Sequence, residues 1–436
     1  MIREMKKIHA LTLGLVCGAL ISAAHAEDRV YTIQDAYQSA IANNEFMKIA
    51  EEDRAQSDYR VDQAWTYLYP RVVAQGAYTK YDKTLPPSGR PFLFQPEEQL
   101  RAALVLTQPL YTGGRTLAAL RTAQKMQVTS ATGVSLAKQD LMMNVSEAYY
   151  AVLKAQKSVE ISKRSLERME RHREITEREA KTRKSKANQS ALLRANSLVT
   201  QARIALVRSQ DGLKIAKDKL SLLSKLPQDV QLAEPQILEV SKESMASIQK
   251  KALESRDDYA NSKVNRSIAE ENVTIVKGGH YPQFYAEAGV QYSDSRPEMV
   301  TDSTVYYAGL RLQIPIFEGG LMKAEVSEAK SKVRQAELSG EFLRKSIESD
   351  VQETYVNLQT VTSVLDTARI QMDYAKGNFD AVESLYSEGL LTSLSMIDAE
   401  GALTSAEREL MNATYDREVA IIRLKKSMGM LGKDSS

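Results

Sequence analysis

Two hydrophobic periods alternate along the chain. In the first, apolar residues recur every seven positions: Val145, Val152, Val159 and Leu166, with Ala148, Ala155 and Met169 at the companion position, then Val351, Leu358, Leu365, Met372, Phe379 and Tyr386. Leu192, Val199, Leu206, Leu213 and Leu220 keep the spacing, as do Met396, Leu403 and Leu410, with Leu424 after an interruption at Arg417. A sustained seven-residue repeat puts a narrow apolar seam on a slightly underwound helix that packs along a partner helix. No proline interrupts residues 115–183 or 321–387. Each is predicted as one helix of roughly 100 Å, at 1.5 Å per residue. Returning helices are predicted over about 189–225 and 393–428.

The second period is two. Phe284, Ala286, Ala288, Val290 and Tyr292 alternate with Tyr285, Glu287, Gly289, Gln291 and Ser293; Tyr306, Ala308, Leu310, Leu312 and Ile314 alternate with Tyr307, Gly309, Arg311 and Gln313. Strands with one apolar face are therefore predicted over about 283–293 and 303–315, and less cleanly over 71–81 and 99–109. Each is about ten residues, the length that crosses a bilayer at a tilt. The connections 82–98 and 294–303 are polar or proline-bearing and read as exposed loops.

The pattern occurs twice. "YPRVVAQGAYTKYD" at 69–82 pairs with "YPQFYAEAGVQYSD" at 281–294, an offset of 212; "VSEAYYAVL" at 145 pairs with "VQETYVNLQ" at 351, an offset of 206; "LLRANSLVTQAR" at 192 pairs with "MIDAEGALTSAE" at 396, an offset of 204. The order is the same in both halves. The expected organisation is two tandem structural repeats, 27–225 and 241–436, joined by a linker over 226–240. The clearest shared mark is a strand–helix junction: Pro109, Gly113 and Gly114 recur as Pro315, Gly319 and Gly320, 206 residues later. Each proline is expected to end a strand, where its missing N–H is no longer needed. Each glycine pair is expected to turn the chain tightly into a helix.

Composition narrows the setting. The formal net charge of +2 gives no reason to expect a nucleic-acid partner. Arg3, Lys6 and Lys7, an apolar run over 10–24 and Ala24-His25-Ala26 read as a signal peptide over 1–26. The only cysteine, Cys17, lies within it. No later run of 18 apolar residues could form a membrane-spanning helix, but a secreted chain can still cross a membrane as a β-barrel. More than half of the aromatic residues fall in 65–111 and 281–317, where tyrosines dominate. Tyrosine suits a bilayer interface, although it also favours strands. Four strands cannot enclose an aqueous lumen, and open edges in lipid leave backbone groups unpaired. Several copies must then share one barrel.

Tyr69-Pro70, Gln108-Pro109-Leu110-Tyr111-Thr112-Gly113-Gly114, Pro315-Ile316-Phe317-Glu318-Gly319-Gly320 and "LYSEGLLTSLSMIDA" at 385–399 resemble the TolC family of outer-membrane efflux channels. The resemblance implies a mainly α fold with a small β part: long coiled-coil helices and a two-strand hairpin in each repeat. It implies a homotrimer with a twelve-stranded barrel in outer-membrane lipid and a twelve-helix tunnel in the periplasm. A periplasmic adaptor and an inner-membrane pump or transporter would feed it, and no cofactor is implied. The family narrows its tunnel with aspartates after the tip turns and holds it with Tyr, Arg and Asp contacts. Here the tyrosine position is Tyr386, the arginine position is Leu391, the aspartate positions are Ser395 and Asp398, and the first-half latch aspartate aligns with Ala191. Arg194, equivalent to Asp398 in the other half, gives an expected alternating ring of Arg194 and Asp398. The tip turns themselves, Arg183, Lys184 and Lys186 in one hairpin and Gly389, Leu390 and Leu391 in the other, are candidate adaptor-docking positions.

An enzyme is not expected. Beyond the signal the histidines are His172 and His280, and no HExxH, CxxC, GxSxG or P-loop pattern occurs. Two readings remain from the sequence: a passive export duct, and a soluble periplasmic coiled-coil adaptor or scaffold.

Overall fold

The computed structural model describes residues 30–82, 96–182, 185–234, 243–296 and 304–433. The signal peptide with Cys17, the tip residues Arg183 and Lys184, and part of the 226–240 linker lie outside the described residues. The elements run β1 (Val30–Tyr31), α1 (Ile33–Asn43), α2 (Glu45–Thr66), β2 (Arg71–Lys80), β3 (Glu98–Tyr111), α3 (Arg115–Thr182), α4 (Lys186–Ser224), β4 (Gln231–Leu232), α5 (Met245–Ser255), α6 (Asp257–Gly278), β5 (Gln283–Arg296), β6 (Thr304–Gln313), α7 (Leu321–Ser387) and α8 (Ser393–Ser427).

The two helices ahead of each hairpin carry no seven-residue seam and are not marked by the sequence pattern. In the structure they follow the strand offset: α1 and α2 become α5 and α6 one 212-residue shift later. Even the first cap recurs. The Thr32 hydroxyl accepts from the Asp35 amide in a capping box, and the Ser244 hydroxyl accepts from the Ser247 amide.

The chain forms two compact units that cut across the tandem halves. One is built from residues up to Lys48, Ala137–Ser255 and from Ser349 onward; the other from Ile49–Leu136 and Arg256–Glu348. The first unit is helical apart from the parallel pair β1–β4. The Tyr149 hydroxyl on α3 ties that pair down, lying 2.7 Å from the Ala233 carbonyl and 3.1 Å from that of Tyr31. The α3 seam residues Val145, Ala148 and Val152 are buried in this unit, as are Val351 and Leu358 of α7.

The second unit holds a four-stranded sheet in the order β2-β3-β5-β6, antiparallel throughout. Its helices are joined by ion pairs: Arg121 and Lys125 of α3 both reach Glu271 of α6, at 2.8 and 2.9 Å.

The two junctions differ from the expectation in one respect. Pro315 lies beyond the end of β6, but Pro109 sits inside β3, which continues to Tyr111. The ladder to β5 shifts register between Pro109 and Tyr111. A proline offers no donor, so the strand accommodates it with a bulge rather than by stopping. The glycines are left-handed as the turn requires, with φ of 65° and 79° at Gly113 and Gly114 and of 61° and 90° at Gly319 and Gly320.

Candidate functional site: a sheet wall and a helical tip

Strand register determines what the sheet presents. Ala74, Leu104, Val290 and Tyr306 form one cross-strand row, and Val72, Leu106, Ala288 and Ala308 the next on the same face. The other face carries Arg101, Thr107, Glu287, Gln291 and Arg311 by alternation. There Arg311 pairs with Glu287 at 2.9 Å and stacks over Tyr285. The ring of Tyr307 covers Gly289, where a Cβ would stand 2.8 Å from it. The polar face is thus internally bonded, while the apolar face has no cover: Tyr306 is 80% and Leu310 77% exposed. No helix among the described residues is long and apolar enough to cross a membrane. The sheet is the part that suits lipid, and its edge strands β2 and β6 have no neighbour among the described residues.

The helical tip belongs to the other unit. The α7–α8 turn is closed at Gly389, whose φ is +78°. The Leu390 amide donates to the Leu385 carbonyl at 2.9 Å and the Gly389 amide to that of Tyr386 at 3.0 Å, a Schellman-type ending. The Thr392 hydroxyl then caps α8 by accepting from the Ser395 amide. Ser395, expected at a constriction, completes this cap, its hydroxyl lying 3.2 Å from that of Thr392. Leu390 is exposed; Leu391 is half-buried and packs on the cluster of Phe379, Tyr386, Met396, Ala399 and Leu403. On the other hairpin Lys186 is exposed at the start of α4, which Ser185 caps.

Tyr386 is buried, and its hydroxyl meets Thr176 of α3 at 3.2 Å rather than an arginine or aspartate. Beside it His172 is also buried, 5.3 Å ring to ring. The Nε2 of His172 meets the Ser393 hydroxyl at 3.0 Å, and its Nδ1 has no hydrogen-bond partner among the described residues. Burial pushes the imidazole below its usual range and the Tyr386 phenol above its own.

Arg194 and Asp398 are both exposed, and neither makes an ion pair within the described residues. The buried pairing near them is one the sequence reading missed. Arg168 of α3 donates to Glu400 at 3.3 Å, to Glu407 at 3.2 Å and to the Thr404 hydroxyl at 3.0 Å. Ser165 and Thr404 add hydrogen bonds to Glu400, at 2.7 and 2.8 Å. The signal was Glu400 itself, a carboxylate next to the Met396–Ala399–Leu403 seam. Its repeat counterpart, the neutral Asn196, hid it.

A model of the outer membrane efflux protein family matches residues 36–224 and 248–430, one stretch in each half. The chain belongs to the outer membrane efflux protein family. The outer membrane protein TolC of Vibrio cholerae serotype O1 is 21% identical over 445 residues, covering 98% of this chain and 97% of that protein. TolC of Escherichia coli K12 is 22% identical, covering 98% and 87%. The CmeC outer membrane channel of Campylobacter jejuni shares the fold, with a TM-score of 0.77 at 14% identity over 91% of this chain and 85% of that one. This family member is an outer-membrane exit duct, a passive conduit and not an enzyme, and the soluble adaptor or scaffold reading is set aside.

Proposed function

We propose that three copies complete one barrel, with β6 of each copy pairing to β2 of the next, and that the helices continue this barrel as a tunnel in the periplasm. A periplasmic adaptor and an inner-membrane pump or transporter supply the cargo and the energy. Each chain contributes two repeats, residues 27–225 and 241–436, and each repeat adds one hairpin and one long helical pair to the assembly. Outer-membrane lipid meets the apolar sheet face, and no nucleic acid is involved. The Gly389–Leu390 turn and Lys186, with Arg183 and Lys184, are the adaptor-facing positions. Arg194 and Asp398 line the constriction, with no ion-pair partner among the described residues of one chain.

The observation that carries this reading is the apolar sheet face, uncovered among the described residues and bounded by two edges unpaired among them. In lipid as a single copy, each edge leaves backbone groups unsatisfied, and in water each is a template for strand pairing. Membrane fractionation tests it. Heat-modifiable trimers in the outer-membrane fraction are expected; a monomer in the periplasmic supernatant overturns it.

A further inference from the structure

Within one chain α3 packs on α8, and the contacts follow one stripe of α3. Glu147 accepts from Arg423 at 2.6 Å, Tyr150 meets Tyr415 at 6.5 Å between rings and Lys154 meets Asp416 at 3.2 Å. Further along, Ser165 and Arg168 reach Glu400. The repeat offset of 206 converts this stripe into Glu353, Val356, Thr360, Gln371 and Tyr374 on α7. The offset of 204 converts the α8 positions 423, 416, 407 and 400 into Lys219, Gly212, Arg203 and Asn196 on α4.

Both derived stripes are open in the chain except at Arg203, which pairs with Glu170 of α3 at 3.3 Å. A groove of ≈ 500 Å³ runs along Val356, Thr360, Val364, Thr367 and Gln371 of α7, and Tyr374 is 75% exposed at its end. On α4, Val207, Ile215 and Leu222 are exposed. Leu222 stands where, in the other half, Lys426 reaches Asp140 of α3 at 2.7 Å. The charges carry over as well. Glu147 and Arg423 become Glu353 and Lys219, an acid on the outgoing helix and a base on the returning one. Glu353 and Lys219 are both exposed and have no ion-pair partner among the described residues.

We propose that α4 of one copy lies in the α7 groove of a second copy of this chain, in the register that sets Lys219 against Glu353 of the partner subunit. The packing repeats between copies what α3 and α8 do within one. Opposite charge at equivalent positions fixes the register, and the apolar strip of α4 fills the groove. Arg203, which also reaches Glu170 of its own chain, then comes to the exposed ring of Tyr374, where Arg168 meets Glu407 inside the chain, so a cation–π contact takes the place of that ion pair. Groove and strip lie on different helices, so the contact is head-to-tail and closes as a ring. This inference rests on the homotrimeric duct proposed above and adds its register.

The test uses the full chain in outer membranes. Cys17 is the only native cysteine, so Lys219→Cys with Glu353→Cys introduces a defined thiol pair for a short bifunctional maleimide. Covalent dimers and trimers on a denaturing gel, absent from either single variant, are the expected result. Lys219→Cys with Thr367→Cys, roughly 21 Å further along the same stripe at 1.5 Å per residue, should give none. Products from the 219/367 pair alone, or from neither pair while the particle keeps its oligomeric mass, overturn the register and leave the duct reading standing. A link from the thiol of the Glu353→Cys variant to a different protein assigns the groove to that protein and also overturns the proposal. A particle of one copy removes the duct reading and this inference together. A second measurement does not depend on reagent reach: Lys219→Glu should lower the heat-resistant oligomer, and adding Glu353→Lys should restore it.

Discussion

The Arg168 guanidinium lies 3.3 Å from the Glu400 carboxylate, with both side chains under a tenth exposed. A buried pair of this kind owes its value to completeness, because removing one partner strands the other charge. Arg168→Ala leaves Glu400 with only hydroxyl partners, while Glu407 keeps Arg164 at 3.2 Å. The expected loss is about 3–5 kcal/mol of tip stability. Arg168→Met combined with Glu400→Leu should recover most of it. Thermal denaturation of the detergent-solubilised protein, followed by circular dichroism, checks both outcomes.

His172 predicts an acid-sensitive tip. Burial holds the folded-state imidazole below the usual value of about 6.5. Between the two values the unfolded chain therefore binds more protons than the folded one, and stability rises with pH. The contribution is complete above about pH 6.5 and is lost as pH falls from there toward the folded value. Glu179, which acts on the neighbouring Tyr386, is the nearby carboxylate. His172→Gln retains a polar partner for Ser393 and should flatten the dependence. Melting temperatures of both proteins across this interval check it; equal slopes would count against the assignment.

The duplicated glycines should not be equally tolerant. A Cβ at Gly113 would fall on the Gly278 carbonyl oxygen and 2.9 Å from the Tyr281 Cβ, whereas one at Gly319 meets nothing within 4 Å. Within one chain, Gly319→Ala is expected to cost about 1–2 kcal/mol, the left-handed backbone penalty alone. Gly113→Ala adds a backbone clash and should abolish outer-membrane assembly. Comparing the heat-modifiable fraction of each variant decides it.

The sheet faces make a further pair of predictions. Leu310→Arg places a charge on the apolar face and should cost about 2–4 kcal/mol at the membrane midplane. Gln291→Arg, on the polar face, should assemble as well as the parent chain. Urea titration of folded protein in vesicles measures both.

Most of the architecture was legible in the sequence because it is written in long periods. The seven-residue seams, with the proline-free runs around them, marked α3 and α7 nearly end to end, and alternation marked the four strands, with Tyr285 to Ser293 and Tyr306 to Ile314 carrying the clearest faces. What stayed hidden was local. The short helices α1, α2, α5 and α6 lack a seam, and the bulge at Pro109 depends on where β5 pairs. At the tip, the family pattern pointed to Tyr386, Ser395 and Asp398. Of these Tyr386 joins the buried contacts, which also use Arg168, His172 and Thr176 of α3, whose partners lie more than 200 residues away. No local pattern joins residues that meet only after the helices pack.

Conductance across a planar bilayer tests the duct most directly. Purified protein, with no nucleotide, pump or adaptor present, should insert from detergent and carry a stepwise ionic current through a water-filled pore. Protein that stays in solution without detergent and leaves the bilayer silent would contradict the account.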